Sequence, residues 1–198
     1  FVGGAKIKVV GVGGAGNNAV NRLIESGLQG AEFIVVNTDI QDLMRSKART
    51  RIQIGAEQTK GLGAGADPNV GKEAAEENKA EIQNALKDTD LLFITAGMGG
   101  GTGTGAAPIV AKAAHEMGIL TIGIVTIPFA FEGMPKIRKA TKGIAELAAH
   151  VDAILVINNE KLKQIYPDFD FINAFSKSDD VVCNAAKSIA EIITVSGY

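Results

Sequence analysis

The stretch Gly97-Met98-Gly99-Gly100-Gly101-Thr102-Gly103-Thr104-Gly105 constrains this chain more than any other: six of its nine residues are glycine. It lies between an apolar run, Leu91 to Ile94, that reads as a buried strand, and a helical pattern in which Ala107, Ile109, Val110, Ala113, Ala114 and Met117 recur on one face. Glycine lets the backbone turn tightly and approach a ligand with no Cβ in the way. A loop of free N–H groups feeding a helix N-terminus is an anion site, because several donors converge and the helix dipole adds positive potential. Thr102 and Thr104 add hydroxyl donors. A flexible linker is the simplest alternative, but linkers are not usually set between a buried strand and an amphipathic helix.

The same grammar recurs along the chain. Ile7 to Val12 reads as a strand covered on both faces and runs into Gly11-Val12-Gly13-Gly14-Ala15-Gly16, a literal G-x-G-x-x-G. Asn17 and Asn18 follow, then a helix carrying Ala19, Val20, Leu23 and Ile24 and ending near Gly27. Phe33 to Val36 is a second strand leading to Asn37-Thr38-Asp39, where a dinucleotide fold keeps its ribose carboxylate. Ile52 and Ile54 suggest a third strand, and Gly55 to Gly71 is too long for an ordinary connection and reads as a functional loop. Gly71-Lys72 resembles the end of a Walker A loop but fails, with Ala66 at the first glycine and Glu73 at the Ser/Thr position. Lys72 to Leu86 reads as one charged helix.

After the central loop, Leu120 to Ile127 is a further buried strand, and Pro128 to Pro135 breaks regular structure. Phe129 and Phe131 there are either ligand-facing rings beside Glu132 or caps on the core. Lys136 to His150 reads as a helix, Ala153 to Ile157 as a strand with exit loop Asn158-Asn159-Glu160, and Lys161 to Ser178 as a short helix and a loop containing Pro167. Asp179 is expected to open a long helix with Val182, Ala185, Ala186, Ile189, Ile192 and Ile193 inward.

These elements make an α/β fold with a doubly wound, mainly parallel sheet ending in a long core helix; residues 1–178 form the nucleotide domain and 179–198 the helix. The loops after the strands share one rim, and two glycine loops opening helices offer more phosphate capacity than one pyrophosphate needs. The balance tips from a dinucleotide-dependent oxidoreductase, built on Gly11 to Gly16 and Asp39, toward a nucleoside triphosphate. A nucleotide-sugar enzyme is conceivable, yet no base or nucleophile is placed for it.

Charge excludes other classes: 20 basic against 22 acidic residues, net −2, with no dense basic run, argue against a nucleic-acid or polybasic membrane surface. Cys183 is the one cysteine and reads as a small buried apolar residue, which fits a reducing compartment. His115 and His150 are isolated and make no metal centre. No apolar run of membrane-spanning length is present, so a cytoplasmic setting is the default expectation.

Gly99 to Gly105 looks like the tubulin-family signature loop, and the chain as a whole resembles the nucleotide-binding half of the tubulin-like cell-division GTPases. Gly13 to Asn18, Val36 to Asp39, Gly61 to Pro68 and Pro128 to Gly133 support the resemblance in family order.

The resemblance implies that GTP or GDP, with Mg²⁺ held mainly by phosphates and water, occupies the rim. Gly13, Gly14 and Asn18 would lie under the α- and β-phosphates, with Ala15 and Asn17 also in the GTP site, and Ala64, Gly65 and Ala66 near the γ-phosphate. Gly100, Gly101 and Thr102 would wrap the phosphates through backbone and hydroxyl donors, and Asn37, Asp39, Gly97, Gly99 and Gly103 would also belong to the GTP site. Glu132 and Lys136 would meet the ribose and phosphates, Asn159 and Asp179 the guanine edge, and Phe175 would stack on the base. Lys136 stands where the family usually has arginine, with Arg138 two residues on, and Asn158 replaces a common proline. The resemblance further implies head-to-tail assembly of copies into the midcell division ring, with catalytic carboxylates supplied by the adjacent subunit. The family's Asn-x-Asp-x-x-Asp loop, second domain and tether-binding tail are expected beyond Tyr198, so the chain alone is expected to bind nucleotide with little turnover, or to cap filaments.

Overall fold

A computed structural model describes residues 4–166 and 168–196. Pro167 and the chain end at Gly197 and Tyr198, both included in the sequence expectations, lie outside the described residues.

Six strands form one parallel sheet in the order β3-β2-β1-β4-β5-β6: β1 Ile7–Val12, β2 Ala31–Asn37, β3 Thr50–Gln53, β4 Leu91–Gly97, β5 Leu120–Ile127 and β6 Ala153–Asn158. Their near-continuous apolar character follows from coverage on both faces. Val10, Val12, Ile34, Val36, Leu92 and Ile94 turn to one face, where α4 (Pro68–Glu77), α5 (Lys79–Ala85), α6 (Thr102–Glu116) and α7 (Met134–Ala148) pack. Ile7, Val9, Val35, Leu91 and Phe93 turn to the other, against α1 (Gly13–Glu25) and α9 (Ala174–Ser196). The remaining helices are short: α2 Ile40–Arg45, α3 Ala56–Thr59 and α8 Asn159–Ile165.

β1 and β4 are neighbours, with Gly11 opposite Thr95 and Val12 opposite Ala96, yet α1 and α6 leave toward opposite faces. That divergence opens a crevice outside the strands' C-terminal ends, where open α/β sheets bind ligands.

Local structure departs from the sequence expectations in several places: the Gly55–Gly71 stretch, expected as a loop, holds α3 and the start of α4, and the expected exit loop Asn158–Glu160 is the end of β6 and the start of α8. Gly13 at φ +77° turns the chain directly into α1, so Gly13 to Asn18 form the first turns of the helix rather than a loop before it. Likewise α6 begins at Thr102, inside the glycine stretch. The expected Lys72–Leu86 helix is two helices: Asp67 caps α4 at Asn69 with Pro68 in its first turn, and the chain breaks at Asn78, whose side chain accepts the Gly55 N–H at 2.9 Å. α2, missed in the sequence, is six residues long and capped by Asp39, which accepts from Gln41 and Asp42 N–H. Finally, α9 starts at Ala174, so Asp179 lies in its second turn and does not open it.

Candidate functional site

A cleft of about 330 Å³ lies over the β1–β4 divergence. The starts of α1 and α6 abut there: a Cβ placed on Gly13 would come 2.9 Å from the Gly103 nitrogen. Neither helix has a side-chain N-cap or an acidic residue in its first turn. Their first N–H groups thus remain open to a ligand, and two helix dipoles converge on one point. By contrast α2 and α4 are closed by the carboxylates of Asp39 and Asp67.

Hydrogen bonds hold this floor in shape. Thr104 Oγ1 accepts the Gly99 N–H at 2.8 Å, folding the glycine loop back on its own helix. The Thr38 and Thr102 hydroxyls are 2.7 Å apart and join the β2 exit to α6. Buried Asn17 donates to Gly11 O at 3.0 Å and accepts from Asn37 Nδ2 at 3.1 Å, tying β1 to β2 below the cleft.

Seventeen of the 21 residues singled out from sequence line this one cleft: Gly13, Gly14, Ala15, Asn37, Asp39, Ala64, Ala66, Gly97, Gly100, Gly101, Thr102, Gly103, Glu132, Lys136, Asn159, Phe175 and Asp179. Asn17 and Gly99 are buried just behind it, while Asn18 and Gly65 are exposed outside the lining. Lys136 lines the cleft and exposed Arg138 does not, so lysine is the cation brought to the position in question. Lys139 donates to Ala66 O at 2.8 Å and ties α7 to the Gly61–Asp67 loop.

Glu132 Oε2 accepts the Phe129 N–H at 2.8 Å, and its Oε1 stands 3.6 Å from Lys136 Nζ. Phe129 is fully buried and caps the core; Phe131 is 40% exposed and stacks on it at 4.9 Å. Phe175 meets Phe129 edge-on at 5.6 Å and keeps half its surface free. Beside it, burial pushes the Asp179 carboxyl up to about 6; Arg22 works against that shift and Asp180 adds to it. Arg22 pairs with Asp180 at 2.7 Å, which pins α9 to α1.

Sequence reasoning missed Asp42, Thr38, Thr126 and Ser178 in the lining. Asp42 follows Asp39 by three residues on a helix the pattern did not show, and Ser178 adjoins Asp179, so proximity in sequence was the available signal. No group of three or more metal-ligating side chains occurs among the described residues, and no described helix is long and apolar enough to cross a membrane.

A family model for the tubulin/FtsZ GTPase domain matches residues 6–167. Among solved structures, an empty FtsZ dimer from M. jannaschii is 48% identical at a TM-score of 0.93, covering 96% of this chain and 55% of that one. The GDP-bound CetZ1 monomer from Haloferax volcanii is 27% identical at 0.81, covering 90% and 58%. The chain therefore spans a little over half the length of these structures. Because the matched model takes in all six strands and the identity holds over nearly the whole chain, this protein belongs to the tubulin/FtsZ family and contains its GTPase domain.

Proposed function

We infer that the chain is the GTP-binding domain of a filament-forming, tubulin-like GTPase that works in cell division at midcell in the cytoplasm. The observation that carries this reading is the meeting of two uncapped helix N-termini, at Gly13 and Thr102, in one cleft whose far end holds Asn159, Phe175 and Asp179. Phosphates suit the first end and a purine the second. The family membership, and the GDP bound to the related CetZ1, support a guanine nucleotide.

In this reading the first N–H groups of α1 hold the α- and β-phosphates, Gly100 to Gly103 wrap them, and Ala64 and Ala66 face the γ-phosphate. Glu132 and Lys136 orient the ribose. Phe175 stacks on the base, while Asp179 accepts from guanine N1–H and the 2-amino group, a pattern adenine cannot offer. Magnesium fits the same cleft when its oxygens come from phosphate and water, since Asp39 caps α2 and Asp42 faces Arg45 at 3.5 Å. When bound it would neutralise phosphate charge.

Four carboxylates line the cleft, and each has other work: Asp39 and Asp42 on α2, Glu132 on the Phe129 N–H, and Asp179 at the base end. This supports a mechanism in which the group that orients the attacking water arrives from an adjacent copy, so that assembly and hydrolysis are coupled. A head-to-tail contact of that kind propagates into a filament, and the dimer found for the M. jannaschii relative agrees with self-association. Alone, the chain is expected to bind GTP and GDP with little turnover; membrane tethers would act through other parts of the full-length protein.

Calorimetric titration of the magnesium-loaded chain with GTP, GDP, ATP and NAD, followed by phosphate release on the same sample, tests this. Guanine-selective binding with negligible release is expected. NAD binding without guanine preference would overturn the reading, and sustained, protein-dependent phosphate release would overturn the need for a second copy.

A further inference from the structure

Resting on the guanine-nucleotide reading above, we propose that Ser178 is a specificity-determining positioning residue: it fixes the orientation of the Asn159 amide so that only N–H donors face the base. The Ser178 Oγ donates to Asn159 Oδ1 at 2.7 Å, and both residues are only 4% exposed. Asn159 begins α8 at the exit of β6, and Ser178 lies on α9 between Phe175 and Asp179, so the bond joins two separate walls of the base end.

An asparagine amide carries an acceptor and two donors on a nearly symmetric head, and by itself it serves a base edge of either polarity by turning over. Here the oxygen already accepts from the Ser178 hydroxyl, which uses one of its two lone pairs. Turning the amide would set its NH₂ against the hydroxyl hydrogen, or oblige that hydrogen to find another acceptor inside the protein. Among the described residues no fully buried side-chain nitrogen or oxygen lacks a partner, and none of them accepts from the Asn159 Nδ2. That amino group therefore opens onto the cleft that Asn159 lines. A purine presenting an acceptor, such as the guanine 6-oxo group, is held there; a purine presenting the adenine 6-amino group meets donor against donor. Ser178 and Asp179, adjacent in sequence, would then reject adenine at two points, one through Asn159 and one directly.

The test is calorimetric titration of the parent chain, Ser178→Ala, Ser178→Cys, Asn159→Ala and the Ser178→Ala/Asn159→Ala double variant with GTP and with ATP. Loss of one neutral hydrogen bond predicts about threefold to tenfold weaker GTP binding in Ser178→Ala, with ATP unchanged or tighter. The thiol of Ser178→Cys is a weaker donor and gives a smaller loss in the same direction; it decides the question if the alanine variant does not fold. On the Asn159→Ala background, Ser178→Ala should change neither affinity, because its partner is gone. GTP and ATP affinities within twofold of the parent in both Ser178 variants, or an equal loss on the Asn159→Ala background, would overturn the proposal. A parent chain without guanine preference removes the functional reading and this proposal together, whereas a guanine-selective parent with indifferent Ser178 variants removes only the proposal.

Discussion

Replacing Gly105 with alanine tests whether the side of the cleft lined by Ala64 and Ala66 is built by the fit of α4 on α6. A Cβ at Gly105 would stand 1.9 Å from Pro68 O and 2.6 Å from the Lys72 nitrogen, both backbone atoms that no rotamer change can move. Restoring ordinary contact requires α4 to back away by about 1.5 Å. Overpacking of this severity costs about 3 kcal/mol, which for a domain of this size lowers the melting temperature by about 6–12 °C. The displacement reaches function, because α4 is capped by Asp67 at the end of the loop carrying Ala64 and Ala66. Gly100→Ala is the matched control: it lines the same cleft, has no heavy atom within 4 Å of its added Cβ, and does not have a positive φ. Calorimetric melting and GTP titration of both variants should show Gly105→Ala less stable and weaker for GTP, and Gly100→Ala as stable as the parent but weaker for GTP through crowding of the cleft. A Gly105→Ala protein melting within 3 °C of the parent with unchanged GTP affinity would refute the reasoning.

Other residues separate fold from site. Asn17→Ala removes the buried hydrogen bond to the Gly11 carbonyl and the one from the Asn37 amide, which keeps its 3.4 Å contact with Asp42, and should cost about 1–3 kcal/mol in denaturant unfolding. Phe129→Ala should cost about 3–5 kcal/mol in the same assay, whereas half-exposed Phe175→Ala should leave stability nearly unchanged and weaken guanine nucleotide by about 1–3 kcal/mol in titration. The Asp179 carboxyl has a folded-state pKa of about 6, above its ordinary 3.8, so the neutral form favours the ligand-free fold. Its contribution is fully present below pH 4 and is lost as pH rises through 6, and Asp179→Asn should flatten that slope in a melting series without nucleotide. If Asp179 accepts from guanine as proposed, binding runs the other way, because the charged form is the acceptor: GTP affinity should fall about tenfold from pH 7.5 to pH 5. Lys139→Met should speed amide exchange across Gly61–Asp67 while leaving the sheet protected, because it frees the Ala66 carbonyl.

The sheet was legible because its strands are apolar on both faces and separated by helical periodicity, a pattern that a parallel sheet demands. What the pattern did not carry was the placement of boundaries within glycine stretches. Periodicity is read from side chains, and Gly13, Gly14, Gly103 and Gly105 have none to contribute, although all four lie in helices. α2 was missed for a related reason: six residues are too short to show a helical face, and the Asp39 cap was already spoken for as a ribose ligand. The same double use explains the rest of the site. Asp39, Glu132 and Asn159 were recognisable as polar residues after strands, but their internal bonds, to the α2 N–H groups, the Phe129 N–H and the Ser178 hydroxyl, arise from chain segments that meet only on folding. Each such bond consumes one face of the side chain and leaves the other toward the cleft. The sequence thus names the groups at the cleft, while the fold decides which hydrogen-bonding edge of each group faces it, and in the proposed reading base selectivity depends on the second.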